Sequence, residues 1–227
     1  MIYGNEIDRS KYKIEYTGDK YSKDLKSYKV IVIGRYGTGK TSIINRLMGK
    51  EVDKGYEPTL NIDIKNIQAK VNDKIIQIQI WDCCGNDKYA QNMPNLFKNT
   101  SLAIIVYAIN YKKSYEEFMN WYNILKEHSY DNIIFLIGNK SDLEEEREVT
   151  IEDVEKFKNN YDDIKMVLEI SALKGKNIDK ILDYIIISIY EKKANDEIKF
   201  DNDKKLGRIS LNKEDFTKRK KKKKKYC

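Results

Sequence analysis

Cysteine, histidine and long apolar runs are what this 227-residue sequence has least of. Its three cysteines are the adjacent Cys83 and Cys84 and the distant Cys227, a spacing that fits neither a disulfide framework nor a metal cluster. There is a single histidine, His128, so no Cys/His catalytic pair is available, and at a helix end it reads as a surface residue. Cys83 and Cys84 read as packing residues rather than a redox pair. No apolar stretch reaches the ~18 residues that a membrane span requires. The opening Met1-Ile2-Tyr3 offers neither the apolar core of a secretory signal nor the second-position glycine of myristoylation. Together these absences predict a reducing, cytosolic setting.

Hydrophobic residues at 41% suffice for a packed core, and the length suits one domain with short extensions. The net charge of +7 suggests a nucleic-acid binder until it is located. Eight positive charges lie in the unbroken run Lys218–Lys225, so the rest of the chain carries −1. The basicity belongs to a tail.

Residues 1–27 are polar and aperiodic and read as a partly ordered extension. From Tyr28 apolar runs and amphipathic stretches alternate. Strands are expected at 29–33, 60–71, 75–81, 102–107, 133–138 and 166–170, with Asn72-Asp73 as a hairpin turn. Helices are expected at 40–48, 114–128, 151–160 and 178–191; the last carries an apolar stripe of Ile181, Leu182, Ile185, Ile186 and Ile189. This alternation predicts an α/β domain over 28–191 with a doubly wound, six-stranded, mostly parallel sheet. Residues 192–227 are polar and read as a flexible tail.

Gly34-Arg35-Tyr36-Gly37-Thr38-Gly39-Lys40-Thr41 fits G-x-x-x-x-G-K-[ST], directly after a strand and opening a helix. In that context glycines let backbone N–H groups wrap phosphates, and the helix N-terminus adds a favourable dipole. Lys40 would contact the β- and γ-phosphates and Thr41 would ligate Mg²⁺, with Ser42 alongside. The motif predicts a nucleoside triphosphate without saying which.

Asn139-Lys140-Ser141-Asp142 follows a second buried strand, at the carboxyl edge where such sheets bind ligands. An ionised carboxylate only accepts hydrogen bonds. At Asp142 it would meet the ring N–H and exocyclic amine of guanine, whereas adenine places a lone pair there. Asn139 can bridge base and phosphate loop, and the Lys140 stem can lie over the ring. Ser171-Ala172-Leu173-Lys174, after the last strand, can offer a backbone N–H to the guanine oxygen.

These residues together resemble the Ras superfamily of small GTPases over roughly Tyr28–Glu191, with the Rab branch nearest. The resemblance implies the P-loop small G-protein fold, GTP/GDP and Mg²⁺ as ligands, and slow GTP hydrolysis. It also implies exchange factors, GTPase-activating proteins and effectors as partners of a monomer. Trp81-Asp82-Cys83-Cys84-Gly85 is similar to the W-D-x-x-G element, which assigns Asp82 to Mg²⁺ and the Gly85 N–H to the γ-phosphate. Tyr56-Glu57-Pro58-Thr59 is similar to the first switch loop, and Thr59 would ligate Mg²⁺ and sense the γ-phosphate. The resemblance places switch loops around 56–61 and 85–93. Leu60–Ile64, Ala103–Tyr107 and Trp121 also resemble Rab proteins. The short 144–149 linker leaves no room for the additional Rho helix; the basic tail is opposite to that of Ran, and Ile2 does not match Arf.

Four departures bear on mechanism. Asn86 stands where the family has the glutamine that orients water, and it is one methylene shorter. Tyr36 is bulky at a position normally small, where it would crowd the γ-phosphate or an incoming arginine. Val52 replaces an aromatic packed on the guanine face, which predicts faster release. Of the Rab effector-surface aromatics only Trp81 remains, with Ile64 and Leu96 at the other two positions. Lys40 and Thr59, together with Asn86, form the candidate catalytic set.

The tail Lys218–Lys225 followed by Cys227 reads as a polybasic patch plus a prenylation site, placing the protein peripherally on an anionic membrane and in vesicle trafficking. Two other readings stay open: an unmodified thiol, or a nuclear-localisation or nucleic-acid patch. A scaffold held in the GTP form is the alternative to a cycling switch.

Overall fold

The computed structural model describes residues 2–4, 7–52, 55, 59, 61–85, 94–129, 131–161 and 163–205. Eight strands form one sheet: β1 (Ile2–Gly4), β2 (Ile14–Gly18), β3 (Ser27–Ile33), β4 (Asp63–Val71), β5 (Lys74–Asp82), β6 (Thr100–Ala108), β7 (Ile133–Asn139) and β8 (Ile164–Glu169). Their order is β1-β8-β7-β6-β3-β5-β4-β2. The strands β8, β7, β6, β3 and β5 run parallel, while β4 returns antiparallel on β5. The helices are α1 (Lys40–Leu47), α2 (Lys112–Glu116), α3 (Phe118–His128), α4 (Ile151–Asn160) and α5 (Ile178–Lys205). This is the doubly wound α/β fold that the alternation predicts.

Strand period divides the apolar residues between two cores, because successive side chains point to opposite faces. On β3, Val30 and Val32 join α1 (Ile43, Ile44, Leu47) and the first half of α5 (Ile181, Ile185, Ile189). Ile31 and Ile33 join α3 (Phe118, Trp121, Leu125) and Val154 of α4 on the other face. A capping box starts α4: the Asp153 N–H donates to the Thr150 hydroxyl, and the Thr150 N–H donates to the Asp153 carboxylate.

Two strands beyond the expected six come from the N-terminal segment read as aperiodic. β1 pairs antiparallel with β8 and β2 with β4, so one segment covers both edges of the sheet. Short strands carry little periodic signal, and these are held by distant partners. The Asn72 N–H donates to the Lys13 carbonyl (2.8 Å), and the Lys13 N–H returns a bond to Asn72 Oδ1 (3.0 Å). Asp183 accepts from Arg9 Nε and from the Tyr16 hydroxyl, both at 2.7 Å. Buried Gln77 secures the next stretch, accepting from the Ser22 N–H (2.7 Å) and donating to the Ser22 carbonyl (3.0 Å).

Asn72-Asp73 forms the expected hairpin turn, with Asn72 left-handed at φ 53°. The expected helix 114–128 is two, broken at Glu117. The last helix runs on to Lys205 instead of stopping near Glu191, because no glycine or proline interrupts the chain before Gly207. The boundary between two compact units, 1–190 and 191–227, falls within that helix, and only the first unit carries the site. No helix among the described residues is long and apolar enough to cross a membrane.

Candidate nucleotide-binding site

Five parallel strands end on the same side of the sheet, and the loops leaving β3, β5, β7 and β8 meet there, at the edge where open α/β sheets hold ligands. The loop Gly34–Gly39 leaves β3 and enters α1. Gly34 sits at φ 136°, and a Cβ there would lie 2.2 Å from the Val106 carbonyl oxygen on β6. Both facts demand glycine. Gly34→Ala is expected to cost at least ~2 kcal/mol, lowering the thermal midpoint by about 5 °C or more in a scan against the wild type; an unchanged midpoint would refute the close packing. Gly37 (φ 74°) has open space around it and needs glycine only for its conformation.

Lys40 opens α1 and is buried, with Nζ donating to the carbonyls of Gly34 and Arg35, each at 3.0 Å. Burial brings its pKa down to about 8, against the opposing pull of Asp82. The Thr38 hydroxyl donates to the Arg35 carbonyl (2.9 Å). These bonds occupy the carbonyls of Gly34 and Arg35 within a loop of the kind whose backbone N–H groups bind anions.

Thr41, Thr59 and Asp82 come from three different segments and converge. Thr41 Oγ1 lies 2.8 Å from Thr59 Oγ1 and donates to Asp82 Oδ2 at 2.7 Å. The other oxygen, Asp82 Oδ1, is buried without a partner, and burial raises this carboxyl's pKa. Two hydroxyls and one carboxylate make an all-oxygen set with an unsatisfied acceptor, which suits Mg²⁺ sharing its shell with phosphate and water. Among the described residues no group of three His, Cys, Asp or Glu could hold a metal.

Gly85 is pressed on the phosphate loop. A Cβ there would lie 2.3 Å from Tyr36 N and 2.6 Å from Lys40 Nζ, and its carbonyl accepts the Tyr36 N–H (3.0 Å). Ser42, half-buried, is in the first turn of α1. Asn86, Tyr56–Pro58, Leu60 and the rest of the second switch loop (86–93) lie outside the described residues, as does Lys218–Cys227.

The base side is equally interlocked. Asn139 ends β7; its Nδ2 donates to the Thr38 carbonyl (2.8 Å) and its Oδ1 accepts the Ala172 N–H (3.0 Å). A Cβ on Gly39 would lie 2.3 Å from that same Nδ2. Lys140 then takes a left-handed conformation (φ 66°), a strained turn typical of functional loops. Burial lowers the Lys140 pKa. The Ser171 hydroxyl donates to Asp142 Oδ1 and accepts the Lys174 N–H (3.0 Å). Leu173 follows in the same turn.

Two arginines that sequence reasoning passed over join the site. Arg35 pairs with Glu117, donates to the Tyr36 hydroxyl (2.9 Å), and lies 4.5 Å from the centre of the Tyr36 ring and 5.4 Å from that of Tyr111. The Glu117 bond holds the guanidinium pKa above its ordinary value. Tyr36, 56% exposed, is thereby held at the mouth of the phosphate loop. The only advance signal was a charge within a usually small, neutral loop. Arg46 contacts a loop more than a hundred residues away and had no local signal. Of the Rab-surface positions, Trp81 is half-buried under Lys29 (3.9 Å to its ring), Ile64 is exposed, and Leu96 is buried in the core.

A glycine-rich loop between a strand and a helix, the converging Thr41, Thr59 and Asp82, and an Asn139 side chain that ties that loop to the β8–α5 turn are the arrangement of a P-loop GTP-binding protein. Residues 29–191 match the family model described as Ras family, and the chain belongs to that family. Its members bind GTP and GDP with Mg²⁺, act as switches and work with exchange factors, activating proteins and effectors.

Proposed function

We propose that this chain is a Rab-like GTP/GDP switch with slow intrinsic hydrolysis, acting in membrane trafficking on the cytosolic face of an anionic membrane. The observation that carries the reading is the bridge from Thr38 through Asn139 to Ala172, which would make phosphate and base sites a single unit. Lys40 and the loop N–H groups would hold the β- and γ-phosphates. Thr41, Thr59 and Asp82 would hold Mg²⁺, whose charge neutralises phosphate oxygens when bound. Asp142 would accept the ring N–H and amine of guanine, while Asn139 fixes the base relative to the phosphates. Thr59 and Gly85 would follow the presence of the γ-phosphate, ordering the two switch loops.

Slow hydrolysis rests on two residues. Asn86 replaces the water-orienting glutamine, and Tyr36 is pinned by Arg35 at the loop's mouth, where an activator's arginine would enter. Unassisted small GTPases turn over at roughly 10⁻⁴ s⁻¹. In single turnover the wild type is expected at or below that rate, with Asn86→Gln about tenfold faster, since a positioned water contributes at that scale. Hydrolysis at the ordinary family rate with no gain from Asn86→Gln would overturn the slow-switch reading. Turnover too slow to detect would favour the second reading, a scaffold kept in the GTP form, for which the same pinned Tyr36 speaks.

The membrane role rests on Lys218–Lys225, each cation worth about 1 kcal/mol near an anionic leaflet, and on a prenyl chain on Cys227 as second anchor. Deleting 218–227 should abolish binding to phosphatidylserine vesicles; unchanged vesicle binding, or loss of RNA binding alone, would transfer the tail to nucleic acid or the nucleus.

A further inference from the structure

We infer that Arg46 is a specificity-determining positioning residue, which aims the backbone N–H that meets the 6-oxo group of the purine. The inference rests on the guanine reading of the site and adds to it a residue outside every nucleotide-binding motif. Arg46 lies in the last turn of α1 and reaches the β8–α5 loop. Its Nε donates to the Ala172 carbonyl and its Nη2 to the Leu173 carbonyl, each at 2.8 Å. One rigid guanidinium fork therefore grips two consecutive carbonyls.

A peptide unit is planar and trans, so its C=O and N–H point in opposite directions. Fixing the Ala172 carbonyl toward α1 directs the Leu173 N–H to the opposite side of that unit. Fixing the Leu173 carbonyl does the same for the Lys174 N–H, which is found donating to the Ser171 hydroxyl at 3.0 Å. The other constraints on the loop are at its ends. The Ser171 N–H donates to the Lys176 carbonyl (3.2 Å), Gly175 and Asn177 are left-handed (φ 71° and 62°), and Asn177 Nδ2 donates to the Glu169 carbonyl (2.8 Å). On the near side, the Ala172 N–H is held by Asn139. Arg46 holds both central peptide planes from their carbonyl side, the second being held from its N–H side by the Ser171 hydroxyl, and it stands on the helix whose other end begins at the phosphate loop. Asp142 would read the opposite edge of the base from its own loop, which meets the β8–α5 loop at the Ser171 hydroxyl and not at the carbonyls that Arg46 holds, so the two halves of guanine recognition rest on different first contacts.

That separation defines the test. Full-length wild type, Arg46→Gln and Arg46→Lys are compared in equilibrium competition with GDP, xanthosine diphosphate and the diphosphate of 2-aminopurine riboside, which lacks the 6-oxo group and with it the N1–H. The N1–H part of that analogue's handicap is the same in every variant, so only a change in the handicap reads the 6-oxo contact. In the wild type GDP should beat both analogues. Arg46→Gln should shrink the preference over the 2-aminopurine nucleotide by about tenfold, the scale of 1.4 kcal/mol. The preference over xanthosine, assigned to Asp142, should move less than about twofold, since Arg46 does not contact Asp142 and the Ser171 hydroxyl keeps its own bond to that carboxylate. Arg46→Lys keeps the charge and stem but not the fork and should fall between; it also serves if Arg46→Gln does not fold. Equal weakening of all three nucleotides, or none, overturns the inference. A wild type that does not prefer GDP at all instead removes the guanine reading beneath it.

Discussion

Asp142→Asn is expected to lower GDP affinity by about 10²–10⁴-fold and to reverse the preference between guanine and xanthine nucleotides. Two charge-assisted hydrogen bonds at roughly 1.5–3 kcal/mol each are lost with the carboxylate. An asparagine turned with its amide N–H toward the base faces the guanine amine with a donor, but it can donate to the 2-oxo group of xanthine. The substitution keeps the side chain's shape and its ability to accept the Ser171 hydroxyl, which at present donates to Asp142 Oδ1. The loop should therefore stand, and the change in affinity should not come from unfolding. Competition binding with GDP and xanthosine diphosphate reads the reversal directly. If the variant keeps guanine preference, Asp142 does not read the base and the site has been built around the wrong carboxylate.

Lys40→Met is the second large effect, and it has two sides. Nucleotide affinity should fall by about 10²–10³-fold, because a desolvated ammonium near two phosphates makes contacts in the charged-hydrogen-bond class. The nucleotide-free protein should nevertheless keep its thermal midpoint within about 3 °C. Lys40 is buried, and burial opposes its charge strongly enough to bring its pKa to about 8. Its two carbonyl contacts offset that cost only in part, so an apolar side chain of similar volume is tolerated by the fold. Titration calorimetry and a melting curve on the same sample separate the two sides. A collapse of the midpoint with affinity intact would mean that Lys40 is a structural lysine and not a phosphate ligand.

What could be read ahead of the fold were features that repeat or that sit close together in sequence. Continuous apolar runs at 29–33, 102–107 and 133–138 became the central strands β3, β6 and β7 because a strand covered on both faces needs no polar side. Gly34–Thr41 was legible because a strand, a turn and a helix start lie in consecutive residues. Asn139–Asp142 and Ser171–Leu173 were legible for the same reason. The unexpected parts depend on distant partners. β2 is a strand because β4 offers it an open edge, not because Ile14–Gly18 alternates. The grip of Arg46 on Ala172 and Leu173, and of Arg35 on Glu117, spans 126, 127 and 82 residues. No local pattern encodes such contacts; only the sheet order brings the residues together. The run of helix beyond Glu191 was missed for a different cause: polar composition says that a segment need not be buried, not that it will not coil.

The central claim is that one ligand is held at both ends, by its phosphates at Lys40 and by its purine at Asp142. The most direct test is equilibrium displacement of a fluorescent guanine nucleotide from the full-length protein by GDP and by ADP in the presence of Mg²⁺. GDP should compete at stoichiometric concentrations while ADP needs an excess on the order of 10⁴ or more, since the Asp142 carboxylate would face a ring lone pair on adenine in place of two donors. Displacement by ADP at concentrations comparable to GDP would contradict it.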